Sequence, residues 1–570
     1  MSRMLAVAAH KLNKILPNSL RIFLRRSNFF LAKYAALIQA NRQYIDPNYL
    51  PPSEVPEYGY FPSDDDYNIN MERQTKTLKL AISTSEKSRS VSLVILMPEF
   101  SFAKLKLTID SVLVQQEYVA EIYIVSDENV LTNKWMLEAY HLTGIDLFVV
   151  SDVSIIGISE YLRLLIYCGE QLHEFALPYV YSMENHINTV TYCDTDIVID
   201  NERTLPHFYS DWNPDLLLST SYIRTGVLIP KGATFKVMSN GFDEISSSLK
   251  QEYLSNNQFH IEHIPFVLIH RHIDTLRTID SGEDTSEHFH YSDEKLVSLI
   301  IPTYNGLDVL SVCISSILEK TLYENYEIVI IDNNSNDPKT LAYLDSIQEH
   351  SKISVIRYPK PFNYSAINNF AAMHAKGSIL GLINNDIEVI SPDWLSKMVA
   401  HVQRPDIGCV GAKLLYPNEL VQHAGVVLGY GGGAGHAHKF FPREHPGYLA
   451  RAKSTQNFSA VTAACLLVTK DDFEAVGGLN EVDLTVAFND VDFCLRILNL
   501  GRRNLLCAEA LLYHHESISR GHEDTPEKQA RFLKEVVYLQ KTWSKYIAHD
   551  PAYNPNLTLK YENFSIKLDK

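Results

Sequence analysis

The run Val486-Ala487-Phe488-Asn489-Asp490-Val491-Asp492-Phe493-Cys494-Leu495-Arg496 places two carboxylates one residue apart, just ahead of an apolar stretch. Val491, Phe493, Leu495, Ile497 and Leu498 supply a packing surface, so the pattern predicts a helix with Asp490 and Asp492 in its first turn. Side chains at a helix start project into whatever cleft lies above it, and the helix dipole tolerates negative charge there. Asp490 therefore reads as a general base acting on a hydroxyl. Asn489 and Asp492 stand beside it, facing an acceptor or holding the base in place. Taken alone, N-D-x-D is also an ordinary capping pair without chemistry. The stretches upstream favour chemistry.

From Leu296 onward strands and helices alternate. Val297–Pro302 is a buried-strand run, a helix is predicted from Asp308 to Glu319, and Glu327–Asp332 is a second strand. A helix over 338–349, a strand over 353–358, a helix over 364–375 and a strand over 378–383 follow. Such alternation implies a parallel sheet that binds ligands beyond the carboxyl ends of its strands. The residues at those ends are polar: Thr303-Tyr304-Asn305, then Asp332-Asn333-Asn334-Ser335, then Asn384-Asn385-Asp386. One such end is a common Asn/Asp turn; three in one sheet point to a site. A carboxylate at Asp386 could hold Mg²⁺ or Mn²⁺ against a diphosphate, and Asp332 suits a base or ribose edge. His514 and His515, with Glu516, follow a predicted strand, and an imidazole there could ligate a metal. The glycine-rich run 429–435 lacks the Gly-Lys-Ser/Thr ending of a P-loop and reads as a mobile loop over the site.

At 570 residues the chain needs two or three cores. Its net charge of −17 argues against nucleic acid as a partner. The seven cysteines are scattered without a C-x-x-C pair, which reads as buried thiols in a reducing compartment. No apolar run reaches the ~18–20 residues of a membrane span, and no signal peptide is evident. Residues 1–42 interleave Arg and Lys with Leu, Ile and Phe. That suits either an interfacial helix on an anionic leaflet, peripheral on the inner face of the cytoplasmic membrane, or an arm docked on the protein itself. Residues 43–89 read as a Pro/Tyr/Asp-rich linker or strap.

The strand–helix–strand unit also occurs earlier. Val91–Pro98 is a strand ending in Pro, and Glu121–Val125 is a strand running into Ser126-Asp127. The strand-start-to-Asp spacing is about the size of one β-α-β unit in both halves. Two related α/β domains are expected, over 90–273 and 295–546, with a linker over 274–294 and a tail over 547–570.

Together these parts permit a single displacement. A hydroxyl deprotonated by Asp490 attacks an anomeric carbon, and a nucleoside diphosphate departs. Residues 296–546 resemble a family 2 glycosyltransferase domain with the GT-A fold, of the bacterial O-antigen and rhamnan type. The resemblance runs through Val297–Asn305, Ile328–Ser335, the stretch 361–368 with Asn363 and Asn368, Ile383–Glu388, Gln422-His423-Ala424-Gly425, Val461–Cys465, Phe488–Arg496 and Tyr513–Arg520. It implies tandem GT-A domains with mainly parallel central sheets. Pro302, Thr303, Tyr304, Asn305, Asp332, Asn334, Asn363, Asn368, Asn384 and Asn385 would line the nucleotide, and Asp386 and His514 would hold the metal, with His515 the rival. Asp490 would be the base, with Asn489, Asp492, His515 and Glu516 on the acceptor side or supporting it. The donor would be a dTDP- or UDP-linked sugar and the acceptor a glycan or lipid-linked glycan. Many relatives carry Asp where this chain has Asn384.

The earlier half resembles the upstream domain of large bacterial tandem enzymes. Asp194-Thr195-Asp196 is D-x-D-like, but Ser246 stands at the apparent base position and Glu99-Phe100 replaces Thr303-Tyr304. The expectation is a degenerate domain that binds glycan or buttresses its neighbour. A non-catalytic nucleotide-sugar or glycan-binding scaffold in a polysaccharide assembly complex is the rival for the whole chain. A nucleotidyltransferase is disfavoured because no Gly- and Lys/Arg-rich loop follows Pro302.

Overall fold

Apolar runs closed by a turn residue become the central strands of two sheets. The computed structural model describes residues 64–82, 90–99, 101–126, 145–151, 159–182, 189–199, 202–233, 244–255, 260–272, 285, 289, 295–515 and 525–567. The basic stretch 1–42 and Glu516 lie outside them. All seven residues of the strand Tyr326–Asp332, and five in a row from Val297 in Val297–Thr303, are buried. Burial on both faces is what near-continuous Val/Ile/Leu runs signal.

The later sheet has the order Ile353–Arg357, Tyr326–Asp332, Val297–Thr303, Ile379–Ile383, Cys465–Thr469, Ile407–Leu415, Arg503–His514, Ile387–Val389. Its first four strands are parallel, Cys465–Thr469 runs against both neighbours, and Ile407–Leu415 is parallel to Arg503–His514. The helix Leu307–Lys320 follows the first strand, and Tyr364–His374 precedes Ile379–Ile383.

The earlier sheet repeats this order strand for strand: Asp146–Val150, Val119–Val125, Val91–Leu96, Leu162–Tyr167, Val227–Ile229, Thr189–Ile199, His260–His272, Gln171–Leu172. Every parallel or antiparallel relation along that order is the same as in the later sheet. The α/β class and the two mixed, mostly parallel sheets expected from the sequence are what the fold contains.

One buried cluster joins the halves: Tyr192, Phe208 and Tyr222 of the earlier half pack with Tyr448, Phe458 and Phe564 of the later. Hydrogen bonds cross the same boundary. Asn213 and Asn457 exchange two at 2.9 Å, each pairing one side chain with the other's backbone, and Ser219 donates to the Thr455 carbonyl at 2.7 Å. At the centre Arg404 meets Asp215 at 2.5 Å, both buried.

Two stretches read as linker and tail are structured. The helix Asp64–Ala81 lies within 43–89 and packs on the earlier domain, where Gln74 accepts from the Val267 amide at 3.0 Å. Of the 547–570 stretch, Asn554 donates to both oxygens of Asp194 and Asp550 accepts from the Leu428 amide at 2.7 Å, so this segment bridges the two domains. Sequence periodicity marks neither, because both are held by polar contacts to distant residues. All seven cysteines are buried and free. Among the described residues no helix is long and apolar enough to cross a membrane.

Candidate functional site

Three strand ends expected to form a site come together through their own polar atoms. Thr303 closes the first strand and accepts at its hydroxyl from Asn385 Nδ2 at 3.0 Å. Asn305 adopts a left-handed backbone (φ 49°), which Asn tolerates better than most residues. Its amide donates to Ser335 Oγ at 2.8 Å, and its Oδ1 accepts from the amides of Asn336 and Asp337 at 3.0 Å each. Asp332 is buried; it accepts from the Ser335 amide and from Arg357, both at 2.8 Å. Tyr304 and Asn334 are exposed above these turns.

Asn363 and Asn368 have internal duties. Asn363 Oδ1 caps the helix Tyr364–His374 by accepting from the Ala366 amide, and its Nδ2 donates to the Glu481 carbonyl at 2.9 Å. Asn368 is fully buried and donates to the Tyr364 carbonyl at 2.8 Å.

Beyond Ile379–Ile383, Asp386 is buried and its Oδ1 lies 3.1 Å from His514 Nε2. Burial works to raise its pKa, but the His514 hydrogen bond and the charges of His514 and His515 prevail and hold the carboxyl below its ordinary value. His514 Nδ1 sits 2.6 Å from Gln422 Oε1, an atom that can only accept. In the neutral ring the proton is then on Nδ1 and the Nε2 lone pair points at Asn384 Nδ2 (3.2 Å) and Asp386 Oδ1. Asp386 Oδ1 has no well-aligned donor. Two facing lone pairs need a proton or a cation between them, so the residues fit a hard divalent ion with one oxygen and one nitrogen ligand, completed by substrate oxygens and water. Among the described residues no group of three or more His, Cys, Asp or Glu side chains is disposed as a full cage. His515 turns elsewhere: its ring lies 3.2 Å from Glu388 and its amide donates to the Asp386 carbonyl.

Asp490 stands in the first turn of the helix Asn489–Asn499, as the pattern predicts. Its Oδ2 accepts from the Ala463 amide at 3.1 Å and its Oδ1 from the Val491 amide at 2.9 Å. Burial raises its pKa above the ordinary carboxyl value, against the lowering pull of those amides and the Thr462 hydroxyl. A carboxylate with raised basicity is suited to accept a proton near neutrality. Asp492 is used structurally, bound to Arg496 at 2.8 Å and Trp543 Nε1 at 2.9 Å, and Asn489 donates to the Val486 carbonyl.

The segment 462–464 ties the two centres together. The Ala463 amide holds Asp490, and Tyr364 donates from its hydroxyl to Asn384 Oδ1 and the Ala463 carbonyl, both at 3.2 Å. The Asn384 amide donates to the Ala464 carbonyl. Sequence reasoning met Tyr364 and Gln422 only within stretches that carry the family resemblance and gave them no role, and it did not single out Trp543 or Glu535. The buried Glu535 accepts from Thr485 Oγ1, the Val486 amide and the Ala487 amide, fixing the loop that leads into Asp490. The glycine-rich run 429–435 forms the tip of the hairpin of Val426–Leu428 and Ala434–His436. It is anchored: the Gly431 amide donates to the Leu559 carbonyl and the Gly432 carbonyl accepts from Gln540 at 2.7 Å.

In the earlier domain the D-x-D-like pair needs correcting. Asp194 and Asp196 lie on Thr189–Ile199, the counterpart of Ile407–Leu415, and not at the strand end equivalent to Asn384–Asp386. Gln171 pairs with His270 as Ile387 pairs with His514. Glu170 therefore stands in the place of Asp386, His270 in that of His514 and Arg271 in that of His515. Ser246 is buried and its hydroxyl donates to the Ser221 and Ile223 carbonyls.

A model of "Glycosyl transferase family 2" matches residues 298–475. The chain is 42% identical over 421 residues to an uncharacterized protein, y4gI, of Sinorhizobium fredii, covering 66% of this chain and 46% of that protein. It is 33% identical over 413 residues to the O-antigen biosynthesis protein RfbC of Myxococcus xanthus, covering 65% of this chain and 31% of that one. The chain thus spans less than half the length of these relatives. Among solved structures, a mannosyltransferase of Pyrobaculum calidifontis is similar at a TM-score of 0.34 and 15% identity, over 46% of this chain and 72% of that one. The residues that match the glycosyl transferase family 2 model include the strand ends and the segment 462–464 that hold the site together.

Proposed function

We propose that residues 295–546 catalyse an inverting sugar transfer from a nucleoside diphosphate to a hydroxyl of a growing cell-surface polysaccharide or lipid-linked glycan. The observation that supports this reading is the hydrogen-bonded chain Asp490–Ala463–Tyr364–Asn384–His514, which links a basic carboxylate to the Asp386–His514 pair. Asp490 takes the acceptor hydroxyl proton. The oxygen bonds to the anomeric carbon from one face as the bond to the diphosphate breaks on the other, and the nucleoside diphosphate departs. Asp386 and His514 would hold Mg²⁺ or Mn²⁺, which supplies charge neutralisation for the leaving diphosphate. Asp332, Asn334 and the 302–305 turn receive the nucleoside. Asn385 keeps Thr303 in register with the metal position. The resemblance to O-antigen and rhamnan enzymes favours a dTDP- or UDP-linked donor, with rhamnose first among the sugars. The match to a protein named for O-antigen biosynthesis supports the polysaccharide as destination.

Release of nucleoside diphosphate tests this, from a panel of nucleotide sugars with Mn²⁺ or Mg²⁺ and a lipid-linked glycan mix. Turnover should appear with one donor, vanish in Asp490→Asn and Asp386→Asn, and persist in Asp194→Asn. Turnover lost only in Asp194→Asn would move the reaction to the earlier domain. Donor binding without turnover on any acceptor would favour the scaffold reading.

The basic, apolar 1–42 stretch supports work at the cytoplasmic face of an anionic membrane. Full-length protein should float with anionic liposomes and the chain lacking residues 1–42 should not; equal flotation would remove the membrane from the account.

A further inference from the structure

The duplicated fold makes the two domains comparable position by position. In the later domain Asp386 Oδ1 and His514 Nε2 face each other with no well-aligned donor on the carboxylate oxygen. In the earlier domain both counterparts are already engaged. Glu170 Oε2 accepts from the Tyr167 amide at 2.8 Å and from the Thr225 hydroxyl; its Oε1, like Asp386 Oδ1, has no well-aligned donor, but it faces a fixed positive charge, Arg271 Nε, at 3.5 Å. Both side chains of that ion pair are buried. His270 is turned to Asp196 at 2.7 Å.

Asp196 is itself surrounded. Arg203 Nε donates to it at 2.8 Å, and Tyr67 of the helix Asp64–Ala81 donates its hydroxyl at 2.5 Å. Next along the strand, Asp194 is covered by His263 at 2.8 Å and by Asn554 at 2.9 and 3.0 Å. The two covering segments also hold each other: Arg73 donates to Asn556 Oδ1 at 3.2 Å and Asn70 to the Lys567 carbonyl at 3.4 Å. A divalent ion at Glu170 would have to displace a guanidinium. Any ligand reaching Asp196 would have to displace Tyr67.

We infer that the region of the earlier domain around Glu170, Asp194 and Asp196 has become an internal clasp. Arg271 occupies the cation's electrostatic role there, and the helix Asp64–Ala81 with the segment 549–567 fills the space above Asp194 and Asp196. The chain accordingly binds one divalent cation, in the later domain. The counting rests on the reading of Asp386 and His514 as the cation position; the clasp does not.

The test is a Mn²⁺ titration of the full chain, following free Mn²⁺ by electron paramagnetic resonance, with hydrogen exchange on the same samples. Wild type and Glu170→Gln should each take up one equivalent, and Asp386→Asn should take up none. A second equivalent in wild type, or one that survives Asp386→Asn and disappears in Glu170→Gln, overturns the inference. If wild type takes up none, the metal reading of the later domain fails while the clasp of the earlier one stands. Exchange decides the clasp in either case. In Tyr67→Phe/Asn556→Ala, residues 64–81, 189–199 and 549–567 should lose protection together. Strand 189–199 keeping its protection while the two covering segments exchange freely overturns the clasp.

Discussion

Asp490 is a carboxylate held where charge is costly. Burial lifts its pKa, and the Ala463 and Val491 amides offset only part of that. A folded-state pKa above the unfolded value means the ionised group penalises folding at any pH above the folded value, and the penalty fades as pH falls through it. Asp490→Asn removes that charge penalty but turns one acceptor into a donor facing the Ala463 or Val491 amide, so the two effects oppose each other and the thermal midpoint at pH 7 should shift little, while turnover drops by about 10²–10⁴-fold, the usual share of a general base. The acid limb of the wild-type rate profile should lie above the ordinary Asp pKa of about 3.9. Turnover in Asp490→Asn within a few-fold of wild type would show that the carboxylate is not the base.

At the scale of elements, the base helix is positioned from behind. The helix Pro526–Thr542 reaches it twice: Glu535 gathers three donors from 485–487, and Trp543, just past its end, donates to Asp492. Glu535→Gln replaces an acceptor oxygen with a donor facing donors, an uncompensated buried polar contact. The expected result is a fall in kcat with little change in donor KM, because the nucleotide turns at 303–305 and 332–335 are not touched; a KM effect alone would refute this positioning role. The elements themselves were largely legible. The predicted helices 308–319 and 364–375 are observed as Leu307–Lys320 and Tyr364–His374. Buried apolar runs and turn residues are local signals. Glu535, and the role of Gln422 within its motif, escaped because their partners are 48 to 50 and 92 residues away in the chain. Asp194-x-Asp196 misled for a related reason: a D-x-D string does not record which strand of the sheet carries it, and only the pairing of Gln171 with His270 identifies Glu170 as the true counterpart.

For the molecule as a whole, the two sheets share one buried cluster and a buried ion network. Arg404 holds Asp215, and Arg404 and Arg503 both contact Asp406. Removing one member of a buried pair strands the other charge, at about 3–5 kcal/mol. Asp215→Ala leaves Arg404 with Asp406 as its remaining acid, so it should cost less than a fully stranded charge, and it should split a single calorimetric transition into two as the halves come apart. One transition at an unchanged midpoint would mean the halves are held by the apolar cluster alone.

The clasp also sets an order of events during synthesis. Residues 90–272 leave the ribosome long before Asn554 and Asn556 are made, at roughly 5–20 residues per second. Through that interval Asp194 lacks two of its partners, and the earlier domain, first to be translated, is the last to be closed. A nascent chain stalled before residue 549 would leave Asp194 with His263 but without the Asn554 and Asn556 side chains. Loss of residues 549–567 would thus be felt in both domains, at Asp194 of the earlier one, far from the break in sequence, and at the Leu428 amide of the later one.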